Sequence, residues 1–140
     1  MVNSACVIGI DFGTDSVRSL IVDAHTGEEV ATFVHPFTRW KEGRYCNSSG
    51  NRFRQHPLDH IEGLEVAVTE SLKRAPKGAA GRIRGISVDT TGSTPAPVDG
   101  DGTVLGLLPE FADNPNALFV MWKDHTAVGE AGEINDLAHS

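Results

Sequence analysis

The sequence is short of cysteine and of long apolar runs, and each shortage excludes a class of protein. Its two cysteines, Cys6 and Cys46, are too few for a disulfide-stabilised fold and lack the spacing of a metal site. Cys6 stands in an apolar run and is expected in the core. No apolar run approaches the roughly 20 residues of a membrane-spanning helix. Because residues 1–11 lack the basic start of a secretory signal, we expect a cytoplasmic protein without membrane contact.

Basic residues are also in short supply. Lysine and arginine number 12 against 19 aspartates and glutamates, which gives a formal net charge of −7. Nonspecific binding to nucleic acid requires surplus cations that neutralise phosphates, so we expect no nucleic-acid partner. The 140 residues correspond to one domain or a part of one, and a hydrophobic share of 39% is ordinary for a folded domain.

Several familiar motifs are missing. The sequence has no G-x-x-x-x-G-K-[ST] and no G-x-G-x-x-G, which argues against P-loop and Rossmann nucleotide sites. It has no Ser-His-Asp signature either. His56 and His60 are four residues apart, as on one helix face, but no Glu or Cys completes a zinc set. We therefore expect the histidines to be solvated polar residues.

Three strands joined by short turns are predicted at the start of the chain. Residues 5–11 are a nearly continuous apolar run, typical of a buried strand, and residues 16–23 and 29–35 follow as the second and third strands. Glycine-containing turns of this length favour an antiparallel meander. The strand pattern is then lost over residues 36–57, where residues 39–54 form a polar, basic segment. This segment could contact an anionic ligand or another subunit, but a solvated loop is the expectation.

A helix over residues 57–75 and a fourth strand over residues 82–89 come next. Pro57 suits the first position of a helix, and Pro76 ends it. The strand over residues 29–35, the helix and the fourth strand form a crossover unit, which predicts parallel strands. Apolar residues at helical spacing predict the buried stripe of the helix: Ile61, Leu64, Val68, Leu72 and Ala75.

The rest of the chain predicts further short elements. A hairpin is expected over residues 95–98 and 104–108, a strand over 118–122 and a helix over 123–140. Together the elements predict an α/β fold with a mixed sheet of five strands and one crossover helix. One face of the sheet would have no second helical layer, which indicates a part of a larger unit.

The turn between the first two strands carries the strongest chemical signal, in the residues Asp11-Phe-Gly-Thr-Asp-Ser-Val-Arg18. Its backbone N–H groups and the hydroxyls of Thr14 and Ser16 could hold polyphosphate oxygens. Asp11 could hold Mg²⁺ through water, and Arg18 could balance phosphate charge. A plain hairpin turn built from Gly, Asp and Thr is the other interpretation.

Two more polar segments follow predicted strands. Asp89-Thr-Thr-Gly-Ser-Thr94 lies at the carboxyl end of the fourth strand, where open α/β sheets bind ligands, although a simple Ser/Thr turn has the same composition. Trp122 offers a flat apolar face to a sugar ring, and Asp124 could accept hydrogen bonds from hydroxyls. Core packing by Trp122 and helix capping by Asp124 are the alternatives.

Taken together, these motifs resemble the FGGY carbohydrate kinases of the actin/Hsp70/sugar-kinase superfamily. Residues 8–18 look like the first phosphate-binding hairpin of that family, and residues 85–99 stand where it has its substrate-side turn. Residues 108–127 are similar to the bacterial branch that phosphorylates L-ribulose. The resemblance covers essentially the whole chain and implies an RNase-H-like α/β fold with a mixed sheet. Residues 1–140 would be the first part of a sugar-binding N-terminal domain, without the second domain.

The resemblance implies ATP-dependent phosphorylation of L-ribulose at its 5-hydroxyl, in arabinose breakdown, with Mg²⁺ as cofactor. Asp11 would be the Mg²⁺-associated carboxylate, while Asp15 departs from the hydroxyl residue of other branches. The catalytic aspartate base and the adenine pocket would lie beyond Ser140. The nucleotide phosphates would be lined by Gly13, Thr14, Ser16 and Arg18. The sugar would be approached by Thr94, Pro95, Ala96 and Pro97, mostly through backbone, and by Trp122 and Asp124.

Other functions remain open at this point. A kinase for another ketose or polyol would share most of these motifs, and so would a noncatalytic actin-like module that binds nucleotide or a partner. Residues 1–140 alone are expected to be nearly inactive. An apolar face without its covering layer would favour self-association, so a homo-oligomer is a possible form.

Overall fold

A four-stranded mixed sheet forms the centre of the protein, which a computed structural model describes for residues 4–139. In chain order the elements are β1 (Cys6–Phe12), β2 (Ser16–Asp23), β3 (Glu29–Pro36), α1 (Thr38–Lys41), β4 (Arg54–Gln55), α2 (Pro57–Arg74), β5 (Ile83–Thr90), β6 (Phe119–Val120) and α3 (Val128–Ala138). The main sheet has the order β3-β2-β1-β5. β4 pairs with β6 in a second sheet of two strands.

The predicted meander and crossover are confirmed. β2 is antiparallel to both β1 and β3, and β5 is parallel to β1. α2 has Pro57 in its first turn, and the His56 side chain caps it by accepting a hydrogen bond from the Leu58 N–H at 3.1 Å. This cap satisfies an amide that has no partner within the helix, and Asp59 places negative charge in the first turn.

The core lies between α2 and one face of the sheet. Cys6 is fully buried there, as expected, beside Ile8, Ile10, Val17 and Ile21. The predicted apolar stripe of α2 is only partly right. Val68, Leu72 and Ala75 are half-buried against the core, whereas Ile61 and Leu64 are exposed.

Small residues, rather than large ones, form the face that α2 buries most deeply: Asp59, Gly63, Ala67 and Ser71. The reason is a close approach of the helix to β2. A Cβ atom added at Gly63 would lie 2.9 Å from Cγ1 of Val17, closer than real Cβ contacts. The helix backbone therefore reaches the sheet only because this stripe has short side chains.

Three predicted elements differ in the structure. The strand expected over residues 118–122 does not join the main sheet, which has four strands rather than five, because β6 pairs with β4. The hairpin over 95–98 and 104–108 is reduced to one antiparallel bridge, Val98 to Val104, closed by a turn at Asp99. The last helix begins at Val128 rather than at residue 123, and Ser140 lies outside the described residues.

Part of the sheet has no helical cover. Ile86 and Val88 of β5 pair with Ile8 and Ile10 of β1, yet they are 64% and 61% exposed. α2 packs on β2 and β3 and leaves the β5 side open. On the opposite face of the sheet Val7, Asp11 and Arg18 are exposed, which agrees, for the described residues, with the expected lack of a second helical layer. Within residues 4–139, no helix is long and apolar enough to cross a membrane.

Candidate functional site

The carboxyl ends of β1 and β5 meet at a cavity of about 160 Å³. Thr91 joins the two strand ends, because its N–H and its hydroxyl both donate to the carbonyl oxygen of Phe12, at 3.0 and 3.1 Å. The cavity is lined by Phe12, Gly13, Gln55, His60, Thr90, Thr91, Thr94 and Phe119. The structure thus brings the turn after β1 together with the threonine segment after β5. These two motifs are separated by at least 76 positions in the sequence.

The turn after β1 is closed by its own backbone. The Gly13 N–H donates to the carbonyl oxygen of Ser16 at 2.9 Å, and the Asp15 carbonyl accepts from the Phe37 N–H at 2.8 Å. Among the described residues, the amides of Thr14 and Asp15 have no protein acceptor. They are the groups of this turn that can receive an anion, whereas the Ser16 hydroxyl already donates to the Asp15 carboxylate at 2.9 Å.

Asp11 and Arg18 lie on the uncovered face of the sheet. They are register partners across β1 and β2, and Asp11 also pairs in register with Asp89 of β5. All three line a second cavity of about 230 Å³. Within the described part of the chain, no three His, Cys, Asp or Glu side chains are grouped as metal ligands. One or two exposed carboxylates suit Mg²⁺, which keeps several waters and takes further oxygens from substrate phosphates.

The segment after β5 is held against β6. Ser93 has a left-handed backbone (φ 55°), and the Pro95 carbonyl accepts a hydrogen bond from the Val120 N–H at 2.8 Å. The Pro97 carbonyl accepts from the Leu105 N–H at 3.0 Å. Thr94 lines the small cavity, whereas Pro95, Ala96 and Pro97 are not among the residues that line it.

Trp122 and Asp124 have opposite environments. The Trp122 side chain is exposed, so the core packing considered for it is wrong. Asp124 is buried beside Arg54, whose Nε donates to its Oδ2 at 2.7 Å. The Phe53 N–H donates to the same oxygen at 2.8 Å, and the Thr126 hydroxyl donates to Oδ1 at 2.6 Å.

These donors leave the Asp124 carboxylate well satisfied inside the fold. Burial alone would raise the pKa of Asp124, but the hydrogen bonds from Arg54, Thr126 and the Phe53 N–H hold that pKa well below its usual range. Asp124 does not cap a helix, since α3 has Ala127 at its N-cap. Its contact with a sugar stays a prediction.

The expectation of a solvated loop for the basic segment is only partly right, because residues 41–44 and 47–51 are exposed whereas its two ends are tied to the fold. Arg39 contacts the buried Asp59 at 3.0 Å and Glu62 at 2.7 Å, and Arg54 is buried with Asp124. The hydrogen bond from Arg39 lowers the pKa of Glu62. Two arginines of this segment therefore tie it to α2 and to the chain around residue 124.

Two residues at the small cavity, Gln55 and His60, are not predicted as part of this site by any motif of the sequence. Both are largely buried, so the expectation of a solvated His60 is wrong, and so is that for the buried His56. The His60 ring stacks on Phe12 and Phe37, with centroids 5.4 and 4.8 Å away. Only the tertiary structure brings these rings together, because they come from α2, from β1 and from the residue before α1.

Acidification from pH 7 to pH 5.5 is expected to destabilise the protein. Burial lowers the pKa of His60 below 6.5, although Asp59 opposes this. Burial and the charge of Arg39 lower the pKa of His56, against Asp59 and Glu62. Between these lowered values and 6.5, the unfolded chain binds more protons than the folded chain, so the free energy of unfolding falls with falling pH.

The measurement is the urea midpoint of the complete gene product at pH 7, 6 and 5.5. The variant His60→Phe keeps an aromatic ring and removes one titrating group, so its midpoint should fall less steeply over this range. Glu62 does not interfere, because its pKa lies below 4.5. A midpoint that is flat with pH in the unaltered protein would contradict the prediction.

The chain is similar over almost all of its length to proteins named ribulokinase. It is 56% identical to the ribulokinase of Vibrio parahaemolyticus over 134 residues, which are 96% of this chain. The ribulokinase of Halalkalibacterium halodurans is 36% identical over 136 residues, or 94% of this chain. In both cases the chain spans only 24% of the relative's length. No protein-family model matches the chain.

Solved structures of sugar kinases share the fold. A gluconate kinase from Lactobacillus acidophilus superposes with a TM-score of 0.71 at 14% identity, over 94% of this chain and 22% of that one. A xyloylose kinase from Brucella ovis also gives 0.71, at 21% identity, over 95% of this chain and 24% of that one. This confirms the predicted α/β fold with an RNase-H-like mixed sheet, of which this chain holds a part.

Proposed function

From the similarity to ribulokinases we propose that this chain belongs to the ribulokinase family of carbohydrate kinases and that the complete gene product phosphorylates L-ribulose with ATP. The product is L-ribulose 5-phosphate, and the reaction belongs to arabinose catabolism. The observation that carries the proposal is 56% identity to a ribulokinase, sustained over 134 residues. Because the chain spans 24% of such a relative, the activity is proposed for the complete protein.

The turn after β1 is proposed to bind the nucleotide phosphates. Its exposed amides at Thr14 and Asp15 can donate to phosphate oxygens, and Gly13 leaves room for a close approach of a ligand to the backbone. Arg18 faces the same side of the sheet as Asp11 and can neutralise phosphate charge. The hydroxyls of Thr14 and Ser16 complete the proposed phosphate set.

Asp11 is proposed to hold Mg²⁺ through its exposed carboxylate. Its position beside the phosphate turn and above an open cavity suits a hydrated cation that also contacts phosphates. When bound, Mg²⁺ supplies neutralisation of the charge that develops on the transferred phosphoryl group. The position of Asp11 is fixed, because Ile8 and Ile10 anchor the opposite face of β1 in the core.

The sugar is proposed to lie along the segment Thr94 to Pro97, with Trp122 and Asp124 shaping the same pocket. Thr94 and Thr91 line the cavity that also includes Gly13, so a sugar at this segment would be close to the phosphate turn. Such proximity is the main requirement of phosphoryl transfer, in which positioning does most of the work. The base that accepts the proton of the sugar hydroxyl is proposed to be an aspartate beyond Ser140, in a protein with a second domain and a cytoplasmic location.

A substrate panel on the complete gene product tests the proposal. We expect the kcat/KM for ADP formation to be higher with L-ribulose than with D-ribulose, D-xylulose, L-xylulose, glycerol or gluconate. Residues 1–140 alone should show almost no turnover. Faster turnover of another ketose or polyol would identify a different kinase of this fold. Nucleotide binding without transfer to any sugar would identify a noncatalytic module.

A further inference from the structure

Gln55 lies against the turn between β1 and β2, although it is 41 residues away in the sequence. Its side chain is buried, and its amide nitrogen donates to the carbonyl oxygen of Thr14. We propose that Gln55 is a positioning residue for phosphate binding, because it fixes the direction of the peptide group between Thr14 and Asp15. This inference rests on the proposed function, since it takes the turn as the phosphate site.

The geometry of the peptide group gives the reason. In a planar trans peptide, the carbonyl of one residue and the N–H of the next point in opposite directions. Because Gln55 holds the Thr14 carbonyl on its own side, the Asp15 N–H points away from Gln55. No protein acceptor takes that N–H within the described residues. A reversal of this peptide would present a carbonyl oxygen where a phosphate needs a donor, and the two would repel each other.

His60 determines which end of the Gln55 amide meets the turn. A glutamine amide has a donor end and an acceptor end, and either could face a given partner. The Gln55 Oε1 lies 3.1 Å from Nε2 of His60. Since the nitrogen of the amide donates to Thr14, its oxygen accepts, and His60 must carry a proton on Nε2. The stack of His60 between Phe12 and Phe37 prevents the ring from turning away.

The backbone of Gln55 is also fixed, and this connects both halves of the site. Gln55 pairs with Phe119 in the small sheet of β4 and β6. The next residue of β6, Val120, donates to the carbonyl of Pro95 at 2.8 Å. The phosphate turn and the proposed sugar segment are therefore supported by the same pair of strands.

The test replaces Gln55→Met in the complete gene product, which keeps the size of the side chain and removes its hydrogen bonds. We expect the KM for ATP to rise about tenfold, because the half-buried Thr14 carbonyl loses its partner and the peptide is no longer held in the binding orientation, while the KM for L-ribulose changes less than twofold. The Kd of the protein for the Mg²⁺ complex of a nonhydrolysable ATP analogue, measured by calorimetry, should rise by the same factor. The control Ser71→Ala removes the buried hydrogen bond of 2.8 Å between Ser71 and Ser19. It should lower the urea midpoint without changing either KM.

A pair of variants at His60 separates orientation from packing. His60→Phe keeps the aromatic stack and removes the donor, so it should weaken nucleotide binding like Gln55→Met. His60→Gln places an amide donor near the former Nε2 and should recover most of the affinity. If Gln55→Met does not fold, this pair decides. Equal nucleotide affinity in the two His60 variants, or an unchanged Kd in Gln55→Met, would overturn the inference.

The calorimetric readout keeps the inference separate from the proposed function. If the unaltered protein binds the nucleotide but does not phosphorylate L-ribulose, the proposed function fails and the Kd values still test Gln55. If the unaltered protein binds no nucleotide, or if Gly13→Val leaves the Kd unchanged, the turn is not the phosphate site. In that case the inference fails as well.

Discussion

Asp11→Asn in the complete gene product is expected to lower kcat about a hundredfold or more and to raise the Mg²⁺ concentration needed for half-maximal turnover at least tenfold. The substitution keeps the shape of the side chain and removes its charge, which a hydrated Mg²⁺ needs as a partner. Asp11 lies at the end of β1, exposed over a cavity that Arg18 and Asp89 also line. Steady-state rates over a range of Mg²⁺ concentrations provide the measurement.

The matched control is Asp101→Asn, which removes the same charge from an exposed turn between Asp99 and Gly102. Its rate and its Mg²⁺ dependence should equal those of the unaltered protein. If high Mg²⁺ restores part of the activity of Asp11→Asn, then weakened metal binding is the cause of the loss. A normal Mg²⁺ dependence in Asp11→Asn would mean that Asp11 does not hold the metal, and Asp89 would become the next residue to test.

The main sheet could be predicted from the sequence because its strands carry the signal that burial imposes. In β1 that signal is a nearly continuous apolar run, and in the structure its buried residues, such as Ile8 and Ile10, alternate with more exposed ones. In β2 the buried residues Val17 and Ile21 alternate in the same way. Strands of two residues carry no such period, so the pairing of β4 with β6 could not be predicted. It depends on contacts between Gln55 and Phe119, which lie 64 positions apart in the numbering.

The buried face of α2 differs from the predicted apolar stripe for a physical reason. Apolar periodicity selects the stripe with the largest side chains, and it selected Ile61 and Leu64. The closest contact of α2 with the sheet instead requires the smallest residues, because Gly63 lies against Val17 of β2. Where α2 comes closest to β2, the small size of a side chain matters more than its hydrophobicity. The distance between α2 and β2 cannot be predicted from the local sequence of either element.

In the candidate site, too, some residues could be predicted from the sequence and others could not. Residues at strand ends, such as Gly13 and Thr94, could be found because ligands bind at the carboxyl edge of such sheets, and the structure does place both at one cavity. Charged and polar residues of the basic segment could not be assigned, because their partners are remote in sequence. Arg54 meets Asp124 across 70 residues, and Gln55 meets Thr14 across 41. Composition alone predicts solvation for such residues, and the pairing that buries them is a property of the fold.

Asp124→Ala is expected to lower the free energy of unfolding by about 3–5 kcal/mol, because it leaves the Arg54 guanidinium buried without its carboxylate. The side chains of Arg54 and Asp124 are 8% and 2% exposed, and their contact is 2.7 Å. Arg54 also donates to the carbonyl of Pro115 and to the hydroxyl of Thr126, so its displacement would loosen residues on both sides of β6. Urea unfolding of the complete gene product, followed by tryptophan fluorescence, measures the loss.

The control for Asp124→Ala is an ion pair of the same length on the surface. Lys73 and Glu70 of α2 also lie 2.7 Å apart, but their side chains are 65% and 35% exposed, so Glu70→Ala should cost less than about 1 kcal/mol. The double variant Arg54→Met with Asp124→Leu removes both buried charges and should recover much of the stability that the single variant loses. If Asp124→Ala is as stable as Glu70→Ala and only the KM for L-ribulose rises, then Asp124 serves the sugar directly. The buried pair would then not be what holds this part of the chain together.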